Sequence, residues 1–126
     1  MAKILITEDE DSLRRFVARA LQLDGHDVVQ AGDGAEGLEQ LRDGPFDLLL
    51  SDIRMPVMDG IELAHQAHAK FPGLKILLMT GYADQRERAD DLAVKIIDVV
   101  EKPFALPDIR KAVARALATE AAVQAA

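Results

Sequence analysis

At 126 residues, with 49% apolar and 29% charged side chains and a mean hydropathy of +0.01, the chain has the size and composition of one folded domain rather than a disordered segment. Fifteen basic against 22 acidic residues give a net charge of -7, which disfavours binding to nucleic-acid backbones, and the lack of cysteine excludes disulfides, thiol catalysis, iron–sulfur clusters and thiolate zinc sites. No apolar run reaches the roughly 18 residues needed to cross a bilayer, and the first ten residues turn acidic where an export signal stays apolar, so a cytoplasmic setting away from membranes is expected.

Residues 3–7 form the first expected strand, with a continuous Ile4-Leu5-Ile6 run of the kind carried by parallel strands covered on both faces. A first helix follows: Leu13, Phe16, Val17, Ala20 and Leu21 recur at helical spacing and are expected to line its buried face. Asp11 or Ser12 is its expected cap and Gly25 its stop. Residues 26–31 read as a second strand, and Ala35, Leu38 and Leu41 mark a shorter helix ahead of Gly44-Pro45. The third strand, 47–51, is continuous through Leu48-Leu49-Leu50; Ile61, Ala64, Ala67 and Phe71 then mark a helix that ends before Pro72-Gly73. Residues 75–79 give a fourth continuous strand. Segment 84–93 reads as a marginal helix, because its apolar positions reduce to Ala89, Leu92 and Ala93 among dense charge. A fifth strand at 96–100 and a last helix opened by Pro107-Asp108, with Ile109, Ala112, Val113, Ala116 and Leu117 on one face, complete the alternation. Five strand–helix units predict an α/β domain over residues 1–118, a doubly wound parallel five-stranded sheet with helices on both faces. Residues 119–126 are an Ala-rich tail or an overrun of the last helix.

In such sheets ligands bind beyond the carboxyl ends of the strands. Those ends carry Glu8-Asp9, Ser51-Asp52, Thr80-Gly81 and Glu101-Lys102-Pro103. Taken singly, each has an ordinary reading: surface charge, a helix cap, a turn, a solvated lysine beside a chain breaker. Together they are different, because three carboxylates held close repel one another unless a cation neutralises them. Hard oxygen donors suit Mg²⁺ or Mn²⁺, which keep water ligands and favour phosphate as a co-ligand. Lys102 and the Thr80 hydroxyl would supply donors to phosphoryl oxygens, and Asp52, ending a central strand, is the best placed nucleophile for an acyl phosphate. His65 and His68 lie three apart on the third helix but lack a third ligand and read as surface residues; His26 reads as structural.

With these motifs in order, the chain resembles the receiver domains of two-component response regulators from residue 3 to about 118. The matching segments are Glu8-Asp9, Ser51-Asp52-Ile53-Arg54-Met55-Pro56-Val57-Met58-Asp59-Gly60, Met79-Thr80-Gly81 and Lys102-Pro103-Phe104. The resemblance implies a flavodoxin-like (βα)5 fold with Asp52 as phosphoacceptor. It further implies direct Mg²⁺ ligation by Asp9 and Asp52, with Glu8 acting mostly through water and the backbone carbonyl of Arg54 completing the site. Thr80 and Lys102 would bind phosphoryl oxygens, and the Lys102-Pro103 bond would be cis. One position departs from the family pattern: Val99 stands where an aromatic switch residue is common, so signal readout through Thr80 must differ, with backbone shifts in 81–93 as the alternative. Arg54 and Tyr82, each two residues past a site residue, are expected to restrict water and lengthen the acyl phosphate's life; Tyr82 packing on its own loop is the competing reading.

The implied donor is a histidine kinase or histidine phosphotransferase, and the chain is a phosphoacceptor that assists its own phosphorylation and dephosphorylation rather than an enzyme. With no room for an effector domain, output is expected from a surface formed by the last helix, the 84–93 segment and the fifth strand, in a monomer or a phosphorylation-dependent dimer. A looser resemblance to CpdR-type single-domain regulators implies an adaptor for the ClpXP protease. A phosphorelay intermediate would need the same residues. A flavodoxin would want a Ser/Thr/Gly-rich phosphate loop where Glu8-Asp9-Glu10 repels anions, and an aspartate-nucleophile phosphatase would want its nucleophile on the first strand.

Overall fold

The computed structural model describes residues 2–81, 96–102 and 104–119. Its elements are β1 (Lys3–Thr7), α1 (Asp11–Leu23), β2 (Asp27–Ala31), α2 (Gly34–Arg42), β3 (Leu48–Asp52), α3 (Gly60–Lys70), β4 (Lys75–Thr80), β5 (Asp98–Glu101) and a last helix, α4 (Leu106–Ala118). The strands form one sheet in the order β2-β1-β3-β4-β5, every pair parallel. This is the doubly wound α/β arrangement that the alternation predicts, in the flavodoxin-like form that the resemblance implies. The segment 84–93, Tyr82, Pro103 and the tail from residue 120 lie outside the described residues.

Alternation along the central strands divides the core in two. Leu5, Leu49, Ile76 and Leu78 pack with Leu38 and Leu41 of α2 and with Leu63, Ala64 and Ala67 of α3. Ile4, Ile6, Leu48, Leu50 and Leu77 face the other way, onto Val17, Ala18 and Leu21 of α1 and Ile109, Val113 and Ala116 of α4. Burying one such Leu or Ile contributes about 1.5–3 kcal/mol, which fixes strand register, since a slip of one residue would swap the two faces.

Helix ends follow local chemistry. Asp33 and Asp59 cap α2 and α3, their carboxylates accepting from the N–H groups of Glu36 at 2.8 Å and Glu62 at 2.9 Å. Gly25, with φ 94°, ends α1: its N–H donates to the Gln22 carbonyl at 2.9 Å while that of His26 donates to Leu21 at 3.1 Å. The Ala105 N–H donates to Asp108 Oδ2 at 3.1 Å at the start of α4, as Pro107-Asp108 foretells. His26 has the structural role expected of it, its Nδ1 accepting from the Ala2 N–H at 3.2 Å.

Four local expectations are corrected. Phe16 is 54% exposed rather than part of the core, and Ala18 takes its place, because the buried stripe of α1 is rotated toward Val17 and Leu21. Glu10, not Asp11 or Ser12, precedes α1, and it makes no side-chain capping bond; Asp11 opens the helix and pairs with Arg14 at 2.8 Å. Leu63 is the fully buried anchor of α3, whereas Ile61 and Phe71 are only partly buried. Finally, β3 and β4 each end one residue later than expected, at Asp52 and Thr80; β2 and β3 start one residue later, at Asp27 and Leu48, while β5 starts two residues later and ends at Glu101. Among the described residues no helix is long and apolar enough to cross a membrane.

Candidate functional site

Parallel pairing carries four strand ends to one edge. Thr7 is level with Ser51, Asp52 with Met79, and Thr80 with Glu101, so the residues at and just past these positions share a rim. Glu8 and Asp52 are 1% and 5% exposed, whereas Asp9 is exposed. One carboxylate oxygen from each of the three lies within 4.8 Å of the others. Lys102 reaches into this cluster from beyond β5, its Nζ 2.8 Å from Glu8 Oε1 and 3.2 Å from Asp52 Oδ2.

The electrostatics follow from that packing. Burial pushes the Glu8 carboxyl above its ordinary range, against the pull of Lys102 and of the Glu10 N–H, which donates to Glu8 Oε2 at 3.1 Å. Asp52 is likewise raised by burial, with Lys102 and the Ile53 N–H opposing and the Asp9 charge adding to the rise. Burial works to lower Lys102, but its bonds and charge interactions with Glu8 and Asp52 outweigh it and the ammonium is held above its usual value. The site is thus three acidic groups against one fixed cation, an unbalanced set whose charge a divalent ion would offset. Its donor chemistry, carboxylate oxygens only, fits Mg²⁺.

Glu8, Asp9, Asp52 and Lys102 are therefore brought together as the motifs predict, and Thr80, 1% exposed, ends the adjacent strand with its carbonyl accepting from the Lys102 N–H at 2.6 Å. Arg54 is exposed on the loop after β3. Val99, 6% exposed, packs into the core on the α2–α3 face. Tyr82 and Pro103 fall outside the described residues, and His65 and His68 join no ligand cluster among them.

Three features escaped the sequence reading. Arg14 fastens the β1–α1 turn: it donates to the Glu8 carbonyl at 2.8 Å and to Gln30 Oε1 at 3.2 Å besides pairing with Asp11. The loop from Arg54 to Asp59 holds a tight γ-turn, in which Val57 has φ 69° and the Met58 N–H donates to the Pro56 carbonyl at 2.7 Å. Beneath the site, Thr7 Oγ1 donates to Ser51 Oγ, and Ser51 Oγ to the Asp52 carbonyl at 2.9 Å. Hydroxyl residues interrupting two Ile/Leu strands were the one available signal for this pair.

Comparisons with known proteins agree with this geometry. The family model of the response regulator receiver domain matches residues 4–114. The response regulator receiver protein CpdR of Brucella abortus (strain 2308) is 44% identical over 109 residues, covering 86% of this chain and 91% of that protein. Among solved structures, a CheY-like receiver domain protein from Methanospirillum hungatei JF-1 superposes with a TM-score of 0.86 at 30% identity, over 93% of this chain and 94% of its own. The response regulator TrrA of Thermotoga maritima in complex with Mg²⁺ and BeF gives 0.83 at 30% identity, over 92% and 99%. The chain also aligns with the regulatory protein AtoC of Escherichia coli (strain K12) at 36% identity, where it spans 25% of a longer protein.

Proposed function

The chain belongs to the response regulator receiver domain family, and from that membership we propose that Asp52 is the phosphoacceptor of a Mg²⁺-dependent switch that controls a protein-binding surface. The convergence of Glu8, Asp9, Asp52 and Lys102 on one sheet edge carries the reading. Asp9 and Asp52, with the Arg54 carbonyl, would hold Mg²⁺ directly and Glu8 mostly through water; the ion when bound would supply charge neutralisation for the carboxylates and the incoming phosphoryl oxygens. Asp52 attacks phosphorus as its carboxylate, forming an O–P bond while the donor's bond to phosphorus breaks and the leaving group keeps the electron pair. Lys102 places its ammonium beside the attacking carboxylate, and Thr80 supplies a hydroxyl from the neighbouring strand. Burial of Asp52 keeps bulk water from the acyl phosphate.

The donor class is a histidine kinase or histidine phosphotransferase, and kinship with CpdR supports output through another protein, with the ClpXP protease as the partner we put forward. Phe16 and Leu23, 54% and 76% exposed, line a groove between α1 and α4 with Leu106. Arg15 and Arg19 flank it without an ion-pair partner among the described residues, in a chain of net charge -7. This rim suits an amphipathic helix bearing acidic side chains beside its apolar face.

The test is incubation with Mg²⁺ and acetyl phosphate followed by intact-mass measurement. The wild type should gain about 80 Da, the mass of one phosphoryl group replacing a proton. That adduct should need Mg²⁺ and vanish in Asp52→Asn. An adduct that survives the substitution, or that forms equally well in chelator, would overturn the assignment.

A further inference from the structure

We propose that the buried Thr7–Ser51 hydroxyl pair is a positioning device for Asp52, setting the peptide plane that holds one of its carboxylate oxygens. The inference rests on Asp52 being the phosphoacceptor.

Both hydroxyl residues are 0% exposed, level with each other on β1 and β3, in strands whose remaining buried positions are mostly Ile and Leu. A buried hydroxyl left unsatisfied costs about 1–3 kcal/mol, so two in a sheet centre are worth keeping only if they are bonded. Here they are bonded in series. Thr7 Oγ1 donates to Ser51 Oγ, which donates to the Asp52 carbonyl at 2.9 Å. That carbonyl belongs to the same rigid peptide unit as the Ile53 N–H. The N–H lies 3.0 Å from Asp52 Oδ1 and 3.0 Å from the Met79 carbonyl.

Pinning one edge of the plane therefore fixes what the other edge presents. Oδ1 is tied to the backbone of its own strand, and Oδ2 is left on the Lys102 side, 3.2 Å from Nζ. Without the hydroxyl chain the plane can tilt, the N–H leaves Oδ1, and the carboxylate samples orientations that are not aligned for in-line attack. Thr7 sets the direction of the Ser51 hydroxyl and is itself clamped from above by α2, where a Cβ on Gly37 would lie 2.5 Å from Thr7 Cγ2.

The experiment follows the time course of acetyl phosphate labelling at saturating Mg²⁺, by intact mass, together with the thermal midpoint, in wild type, Ser51→Ala, Thr7→Val and Thr7→Ser. Thr7→Val keeps the shape and removes the hydroxyl; Thr7→Ser keeps the hydroxyl and removes the methyl. Loss of one neutral hydrogen bond from the aligned state predicts labelling slowed about five- to tenfold in Ser51→Ala and Thr7→Val. Thr7→Ser should label at close to the wild-type rate even though its midpoint falls. Equal rates in wild type and Thr7→Val, with only the midpoint altered, overturn the inference, as does a Thr7→Ser variant as slow as Thr7→Val. Should Ser51→Ala fail to fold, the Thr7 pair decides. Failure of the underlying reading looks different: the wild type then gains no adduct, or Asp52→Asn keeps one.

Discussion

Gly60→Ala is the smallest change that bears on how the fold supports the site. Gly60 is the first residue of α3, and its N–H donates to the Ile53 carbonyl at 2.7 Å. A Cβ built there would lie 2.1 Å from the Asp52 carbonyl oxygen and 2.9 Å from Ile53 Cα, both backbone atoms that cannot rotate aside. Reaching the 3.4 Å of ordinary contact requires α3 to retreat by about 1.3 Å, which strips the Gly60 N–H from its acceptor. Overpacking costs about 1–3 kcal/mol and the lost hydrogen bond about 1 kcal/mol, offset by the roughly 0.5–1 kcal/mol that alanine gains over glycine in a helix. The net is about 2 kcal/mol, or a fall of about 8 °C in thermal midpoint for a domain of this size. Urea titration followed by far-ultraviolet circular dichroism measures it, since the chain has no tryptophan. Gly73→Ala is the control: nothing lies within 4 Å of the added methyl, so stability should be unchanged or slightly higher. A loss at Gly60 no larger than at Gly73 would refute the steric argument.

Further outcomes are expected elsewhere. Val57→Gly should raise stability by up to about 1 kcal/mol, because a β-branched residue with φ 69° is strained and this one, 83% exposed, gives up little packing; an unchanged urea midpoint would count against strain at that turn. Mg²⁺ at ten times its dissociation constant should add about 1.4 kcal/mol, roughly 5 °C, and Asp9→Asn should shrink the shift at the same concentration; an unaltered shift would remove Asp9 from the ion's ligands. Asp24 is held below the usual carboxylate range by its hydrogen bond from Arg110, so the pair's contribution is present above about pH 4 and lost as pH falls through the lowered value. The gap in midpoint between wild type and Arg110→Ala should accordingly narrow on going from pH 7 to pH 3. For the α1–α4 groove, a helical peptide with leucines on one face and glutamates beside them should bind the wild type and lose about tenfold in affinity to Arg15→Glu; equal binding would exclude charge pairing there.

What was legible in the sequence was the part dictated by solvent exclusion and by strand ends. Ile4-Leu5-Ile6, Leu48-Leu49-Leu50 and Ile76-Leu77-Leu78 are continuous because both faces of the sheet are covered, and once they are parallel Glu8, Asp9, Asp52 and Lys102 must meet. Helical period was a weaker guide. It assigned Phe16 to the core because the residue falls at the right spacing, yet period does not give the width or exact bearing of a buried stripe, and the small Ala18 faces the sheet instead. Strand ends were read one residue short at Asp52 and Thr80 because polarity was taken as a boundary, whereas the backbone ladder continues whatever the side chain. Arg14, with acceptors on Glu8 and Gln30, and the Thr7–Ser51 bond across 44 residues depend on tertiary contact; no local pattern announces the first, and the second shows only as hydroxyl residues in two Ile/Leu strands, which does not say that they meet.

The contact between Lys102 and Glu8 joins residues 94 positions apart, at opposite ends of the domain's sequence. A ribosome exposes Glu8 well before Lys102, with most of this domain made between them, and such distant pairings are among the slowest for a chain to find. The cluster that would accept a phosphoryl group is thus complete only with the final strand, so a domain cut short before it would stay silent, and labelling doubles as a report that this domain's sheet has closed on its last strand.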